Sequence, residues 1–360
     1  MPQSSSPLPH ASLHGTTNGQ DIQLFTLANS QGMTVQVSEL GAHLISVTLP
    51  DKSGKPVEMT LGHDSFEGWC NNGPYLGATV GRFGNRIKDG KFSLDGEDYT
   101  LATNNFPNDI PCHLHGGPNG FHTQKWHGTP LAGNGKQGVR FTLISPHGEE
   151  EYPGNLLVTV TYWLNDQNEL SWLAEASTDQ ATPVNIINHT YWNLSGNMDN
   201  SIADHEIQIL SDQFLPKDKG MIPTGEFRDV AGTPMDLNTS KLMREGLESD
   251  YDRITTSGGY DHCWVLNSHP EKSTRLCAIA HHPATQRTLK ILTDQPGIQF
   301  YTGNFLDGTI QGRDGCSFPP QSGFCLETQA FPDAPNHPEF PSCILQPGET
   351  YQHHLIFKLS

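Results

Sequence analysis

Positive charge is scarce in this chain: only 21 of its 360 residues are Lys or Arg, against 39 Asp or Glu, for a formal net charge of -18. Such a surface repels phosphate backbones and anionic lipid, which argues against nucleic-acid or membrane-surface partners and leaves a small neutral ligand open. No block of five like charges marks an interaction tail. No run approaches the ~18 apolar residues of a membrane span, so a soluble globular protein is expected. The first residues, MPQSSSPLPHASLHGTTNGQ, lack the charged and apolar regions of a secretory signal. Their Ser, Pro and Gly content reads as a loose arm over residues 1–20. The seven cysteines (Cys70, Cys112, Cys263, Cys277, Cys316, Cys325, Cys343) are an odd number, widely spaced and without CxxC. That usage fits reduced thiols and a cytoplasmic protein better than a disulfide framework.

Helical signals are also few: Ser240–Glu248 suits a short helix, and Ser65–Trp69 at most a turn. What the sequence has instead is 36 Gly and 26 Pro without a period, the residues that turn a chain between many strands. Strands are expected at Thr34–Val37, Leu44–Leu49, Val139–Ile144, Leu156–Leu164, Leu170–Ser177, His205–Leu210, Thr288–Leu292 and His354–Lys358. Asp95-Gly96 between Lys91–Leu94 and Tyr99–Leu101 is a hairpin signal, because both turn positions must accept positive φ. With no linker of changed composition and no fixed repeat, the reading is one all-β domain over residues 21–360, a large antiparallel β-sandwich.

Four segments carry residues suited to chemistry. Gly81-Arg82-Phe83-Gly84-Asn85-Arg86-Ile87 can place fixed donors at a cleft, although solvated arginines on a surface loop fit as well. His113-Leu114-His115 puts two imidazoles on one face if extended, so a metal pair is considered, but no supporting ligand spacing accompanies it. In Asn188-His189-Thr190-Tyr191-Trp192, an extended chain puts His189 and Tyr191 on one face, imidazole beside phenol. In Phe324-Cys325-Leu326-Glu327-Thr328-Gln329, a single carboxylate sits in an apolar strand. Burial would raise its pKa and suit it as a general base, while an edge strand would leave it in solvent. Asp261, after Gly258-Gly259-Tyr260, and Gln299, in QPGIQFY, add a carboxylate and an amide.

Taken together, GRFGNRI (81–87), LHGG (114–117), NHTYWNL (188–194), GYDH (259–262), QPGIQFYTGNFLDG (295–308) and the long GFCLETQAFPDAPNHPEFPSCILQPGETY (323–351) resemble, in order, the aldose 1-epimerase (galactose mutarotase) family. The resemblance implies a β-sandwich of the galactose mutarotase type, no cofactor and no metal, and a cleft for a free aldohexose such as galactose or glucose. By the same resemblance His189 matches the general acid, Glu327 the general base, and His115 a second histidine that binds and polarises the sugar. Asn85, Arg86, Asp261 and Gln299 match hydroxyl-binding positions, and Tyr191 shares the motif of His189. Two positions depart from the family pattern, His113 and Trp192, and either could tune the pocket. The implied reaction is anomer interconversion by acid–base ring opening and reclosure. Its competitors are a hexose-6-phosphate epimerase, a non-catalytic sugar-binding or regulatory module, and a metal hydrolase built on the histidines. Oligomeric state is not legible.

Overall fold

The computed structural model describes residues 7–251, 254, 256–267 and 273–360. Its strands pair antiparallel into three principal sheets. A five-stranded meander runs in chain order through His10–Thr17, Gln20–Ala28, Thr34–Ser38, Leu44–Pro50 and Pro56–Glu58. A nine-stranded sheet has its centre in Leu156–Asn165, Glu169–Thr178, Tyr351–Leu359 and Arg287–Thr293. The third has six strands, in the order Tyr191–Trp192, Phe324–Gln329, Gly297–Tyr301, Asp261–Val265, Gln213–Leu215 and Arg228–Asp229.

The core lies where the nine-stranded and six-stranded sheets face each other. Alternate residues of each strand point inward, so Val158, Val160, Trp172, Leu355 and Phe357 meet Trp264, Ile298, Phe300, Phe324 and Leu326 in one buried cluster. Phe25, Val35 and Val37 of the meander join it. The chain is an antiparallel β-sandwich. Polar ties cross the apolar layer. His353 of the large sheet donates from Nδ1 to the Ile186 carbonyl at 2.8 Å, and its Nε2 meets the Thr328 hydroxyl at 2.7 Å.

The hairpin reading is met in detail: Lys91–Leu94 pairs with Glu97–Thr100, and Asp95 and Gly96 have φ of 53° and 84°. The helix expected over Ser240–Glu248 contracts to Met243–Leu247, while Ser65 caps a true five-residue helix, Phe66–Cys70, where only a turn was expected. The loose arm expected over residues 1–20 is corrected from residue 7 onward, and residues 1–6 lie outside the described residues. His10–Thr17 is a strand paired with Gln20–Ala28, turned by Asn18-Gly19 with φ of 50° and 71°. It is an edge strand that buries little, so its polar composition looked unstructured while its Asn-Gly turn signal was overlooked.

Several core histidines are held neutral. His205 Nδ1 donates to the Ile202 carbonyl while its Nε2 accepts from the Leu194 amide. Burial pushes His113, His122 and His353 down to about 4, and His205 to about 3. Their unfolded counterparts titrate at 6.5, so between pH 6.5 and 4 the unfolded chain binds the extra protons. Stability is therefore complete above 6.5 and is lost as pH falls, each group contributing up to ~1.4 kcal/mol per pH unit. Urea midpoints at pH 7, 6 and 5 are expected to fall monotonically; equal midpoints at pH 7 and 5 would contradict the neutral assignment.

Candidate active site

The inward alternation that builds the core leaves the other face of the six-stranded sheet for polar groups. Phe324, Leu326 and Thr328 point to the core; Cys325, Glu327 and Gln329 point away from it and remain buried. The Phe324–Gln329 strand is not an edge, since it pairs with Tyr191–Trp192 on one side and Gly297–Tyr301 on the other. Register then sets the neighbours: Glu327 lies opposite Gln299, Gln299 opposite Cys263, and Asp261 opposite Tyr301. Pleating places Asp261, Gln299 and Glu327 on one surface.

His189 arrives from a separate two-stranded pairing, opposite Ala78, and sits against that surface. Its Nε2 is 3.7 Å from Glu327 Oε2, and Oε2 has no hydrogen-bond partner among the described residues. Burial, reinforced by Asp261, raises the Glu327 carboxyl well above its ordinary range, with Arg86 acting in the opposite sense. Burial lowers His189 to about 4, against a backbone hydrogen bond and Asp261. Both directions favour a net-neutral pair that holds one proton between carboxyl and imidazole.

The remaining groups form a connected rim. Gln299 Nε2 donates to Asp261 Oδ1 at 2.6 Å, and Arg86 Nη1 lies 4.0 Å from Asp261 Oδ2. Gln329 Nε2 donates to Gln299 Oε1, and Asn85 Nδ2 to Gln329 Oε1, each at 3.4 Å. The backbone N–H of Asn85 donates to His115 Nδ1 at 3.1 Å. Neutral His115 must then carry its proton on Nε2, so it offers a donor. Tyr75 packs against three imidazoles, 4.7 Å from His115, 4.7 Å from His122 and 5.9 Å from His189 between ring centroids. All of these side chains except Gln329 and His122 line a cavity of about 620 Å³ that also includes the exposed rings of Phe106 and Phe305. A larger groove of about 1180 Å³, past Phe227, Arg275 and Glu339, contains none of them. Volume alone does not mark the chemistry.

All eight residues singled out in the sequence line this one cavity: Asn85, Arg86, His115, His189, Tyr191, Asp261, Gln299 and Glu327. Two of them are also engaged within the protein. Asn85 spends much of its polar capacity on Arg86 and Gln329, and so acts as a brace. Tyr191 packs near His189, with ring centroids 5.2 Å apart, and its hydroxyl donates to the Pro74 carbonyl. Arg82 is not in the cleft, and neither is it solvated. It is buried and donates to the Ser145 hydroxyl and to the carbonyls of Ser145, Pro146 and Pro153. Among the described residues, Arg86 is the one arginine that lines the cleft.

His113 and His115 do not share a face. The strand ends at Leu114, His115 turns through φ 53°, and His113 bonds the Ala102 carbonyl. Neither His113 nor Trp192 lines the cavity; Trp192 packs in the core against Phe357. His115, His189 and Glu327 do offer ligand atoms within 4.8 Å of one another. With Nδ1 of His115 already accepting and Nε2 protonated, that histidine has no free lone pair, so the donor set suits acid–base work rather than a metal. Tyr75 was missed. Its place beside the imidazoles is made by a backbone at φ 61°, which no local pattern announces for a bulky aromatic.

Gly116 fixes the His115 turn. A Cβ there would lie 1.8 Å from the Gly81 carbonyl oxygen, at a φ of 82°. Gly116→Ala is expected to lower stability by about 2 kcal/mol or more in urea titrations and to reduce turnover with it.

Comparison with known proteins identifies the family. The family model described as aldose 1-epimerase matches residues 23–358. Galactose mutarotase from Bos taurus is 44% identical over 339 residues, covering 94% of each chain. Aldose 1-epimerase from Escherichia coli is 37% identical over 93% of this chain and 94% of its own. Among solved structures, an aldose epimerase homologue from C. elegans superposes with a TM-score of 0.84 at 31% identity, covering 94% of this chain and 98% of that one. Galactose 1-epimerase from Lactobacillus acidophilus gives 0.85 at 29%, with 98% of each chain covered.

Proposed function

The chain belongs to the aldose 1-epimerase family and is an isomerase with mutarotase activity on aldoses, and we propose that Glu327 and His189 are its base and acid. The observation that carries the assignment is the 3.7 Å approach of His189 Nε2 to an unpartnered Glu327 oxygen inside the cavity. A cyclic aldose can set its C1 hydroxyl against Glu327 and its ring oxygen against His189, the two oxygens side by side over the pair. Glu327 takes the proton of the C1 hydroxyl while His189 gives one to the ring oxygen, and the C1–O5 bond breaks to an open-chain aldehyde. Rotation about C1–C2 presents the other carbonyl face. The same pair, with roles reversed, closes the ring, so proton count and oxidation state return unchanged.

His115 Nε2–H serves as a neutral donor to the sugar, polarising it without adding charge. Arg86, Asp261 and Gln299 hold hydroxyls through a guanidinium, a carboxylate and an amide already braced against one another, with Asn85 setting the brace. The substrate class is a free aldohexose, galactose and glucose included. All seven cysteines are unpaired, which supports a cytoplasmic location. No described helix is long and apolar enough to cross a membrane. Residues from the His10–Thr17 strand to the C-terminus act as one domain.

Polarimetry on fresh α-D-galactose and α-D-glucose tests the reading. Glu327→Gln keeps size and removes the base; kcat is expected to fall at least ~10²-fold with little change in KM. Near-normal kcat in that variant would end the assignment. Arg86→Ala is expected to raise KM at least ~10-fold, and an unchanged KM would take Arg86 out of the site. The active pair holds one proton. Because His189 is pushed down to about 4, the second proton adds only near that pH and inactivates by removing the base. Because burial raises Glu327 well above the usual carboxylate range, the last proton leaves at correspondingly higher pH. The pH–rate profile should be a broad bell with its acid limb near pH 4; a rate that rises steadily with pH, as simple hydroxide catalysis would give, contradicts the pair.

A further inference from the structure

The mechanism above uses one end of His189. The other end also meets the Phe324–Gln329 strand. Cys325 and Glu327 are two residues apart on the same face of that strand. The imidazole lies across both: Nδ1 is 3.6 Å from Cys325 Sγ, and Nε2 is 3.7 Å from Glu327 Oε2. Tyr191, opposite Cys325 in register, covers one flank of the ring, and His115 meets it edge-on at 5.1 Å. Cys325 itself is fully buried and does not line the cavity.

The geometry points to Cys325 as a positioning residue: its sulfur accepts the Nδ1–H of His189 and so fixes the tautomer in which Nε2 gives and takes the catalytic proton. This rests on the acid–base assignment above. An imidazolium that releases its proton from Nε2 must keep the hydrogen on Nδ1, and a buried N–H without an acceptor costs about 1–3 kcal/mol. With the hydrogen on Nε2 instead, the neutral ring would present a poor acid to the ring oxygen and no base for the return step. A carboxylate in place of the sulfur would also orient the ring, but its charge would hold the imidazolium and oppose proton release. Sulfur is a weak, neutral acceptor. Burial raises the Cys325 thiol well above its ordinary range, so it stays uncharged beside Glu327 and Asp261. The other groups acting on His189 are Asp261 and a backbone hydrogen bond, which favour the imidazolium, and His122, which disfavours it. None of these shares a strand with the base. Cys325 does, so whatever shifts Glu327 shifts the partner of its acid with it.

The test compares full-length wild type, Cys325→Ala and Cys325→Ser, each labelled with nitrogen-15 at histidine. The His189 signals are identified by their absence in His189→Asn. In wild type at neutral pH, Nδ1 is expected to be the protonated nitrogen. In Cys325→Ala the two ring nitrogens should move toward averaged shifts, and kcat should fall about tenfold with KM changed less than twofold. Cys325→Ser, which restores an acceptor, should recover the wild-type tautomer and most of kcat. Wild-type nitrogen shifts in Cys325→Ala would overturn the proposal, whatever the rates. Should the alanine variant fail to fold, Cys325→Val removes the acceptor with less loss of volume, and the same reading decides. Failure of the underlying function would look different: wild type itself would not accelerate mutarotation, while the tautomer measurement would still report on the contact.

Discussion

The arrangement turns on the withdrawal of one carboxylate from water. Glu327 sits on the second strand of a six-stranded sheet, paired on both sides, with Oε2 lacking a hydrogen-bond partner among the described residues. A lone buried charge costs several kcal/mol after relaxation, so an isolated ionised Glu327 would not persist. His189 resolves this by holding the proton jointly with it, and Asp261 is kept from adding a second free charge by Gln299 and Arg86. The site's own charges are close to balanced, and charge separation within the Glu327–His189 pair becomes favourable when a substrate supplies hydrogen bonds to it.

The sandwich makes that withdrawal structurally affordable. One face of the Phe324–Gln329 strand is anchored in the apolar core by Phe324 and Leu326, with Thr328 tied to His353 of the opposing sheet. The opposite face is thereby held in register to within a side chain's reach of Gln299 and Asp261. The histidines come from outside this sheet, His189 on a strand paired with Ala78–Val80 and His115 from the turn after Cys112–Leu114. Base and hydroxyl binders therefore sit on a rigid floor, while the imidazoles are brought over it by shorter segments braced through Asn85 and Tyr75.

Legibility in the sequence followed periodicity. Leu156–Leu164, Leu170–Ser177 and the Asp95-Gly96 hairpin were readable because alternation and turn chemistry are local. The face shared by His189 and Tyr191 was readable for the same reason. Arg275–His282, with the sequence RLCAIAHH, was not singled out: its Ala, Cys and His residues are indifferent strand formers, and the sheet imposes the conformation through pairing on both sides. The convergence of the eight site residues came from family resemblance, since no spacing rule links Asn85 to Glu327. Where the resemblance and extended-chain geometry were silent or wrong, the cause was a left-handed residue. The turn at His115 separates it from His113, and the same kind of backbone puts Tyr75 among the imidazoles.

Tyr75 bears on how such a protein changes over generations. A bulky aromatic in the left-handed region is about 1–2 kcal/mol worse off than Gly or Asn would be there. Selection for thermal resistance alone would favour the smaller residue, and the gain would come at the expense of the ring that three histidines lean upon. The position is thus a standing conflict between durability and use, and drift at it is a marker of which of the two a lineage has been asked to keep.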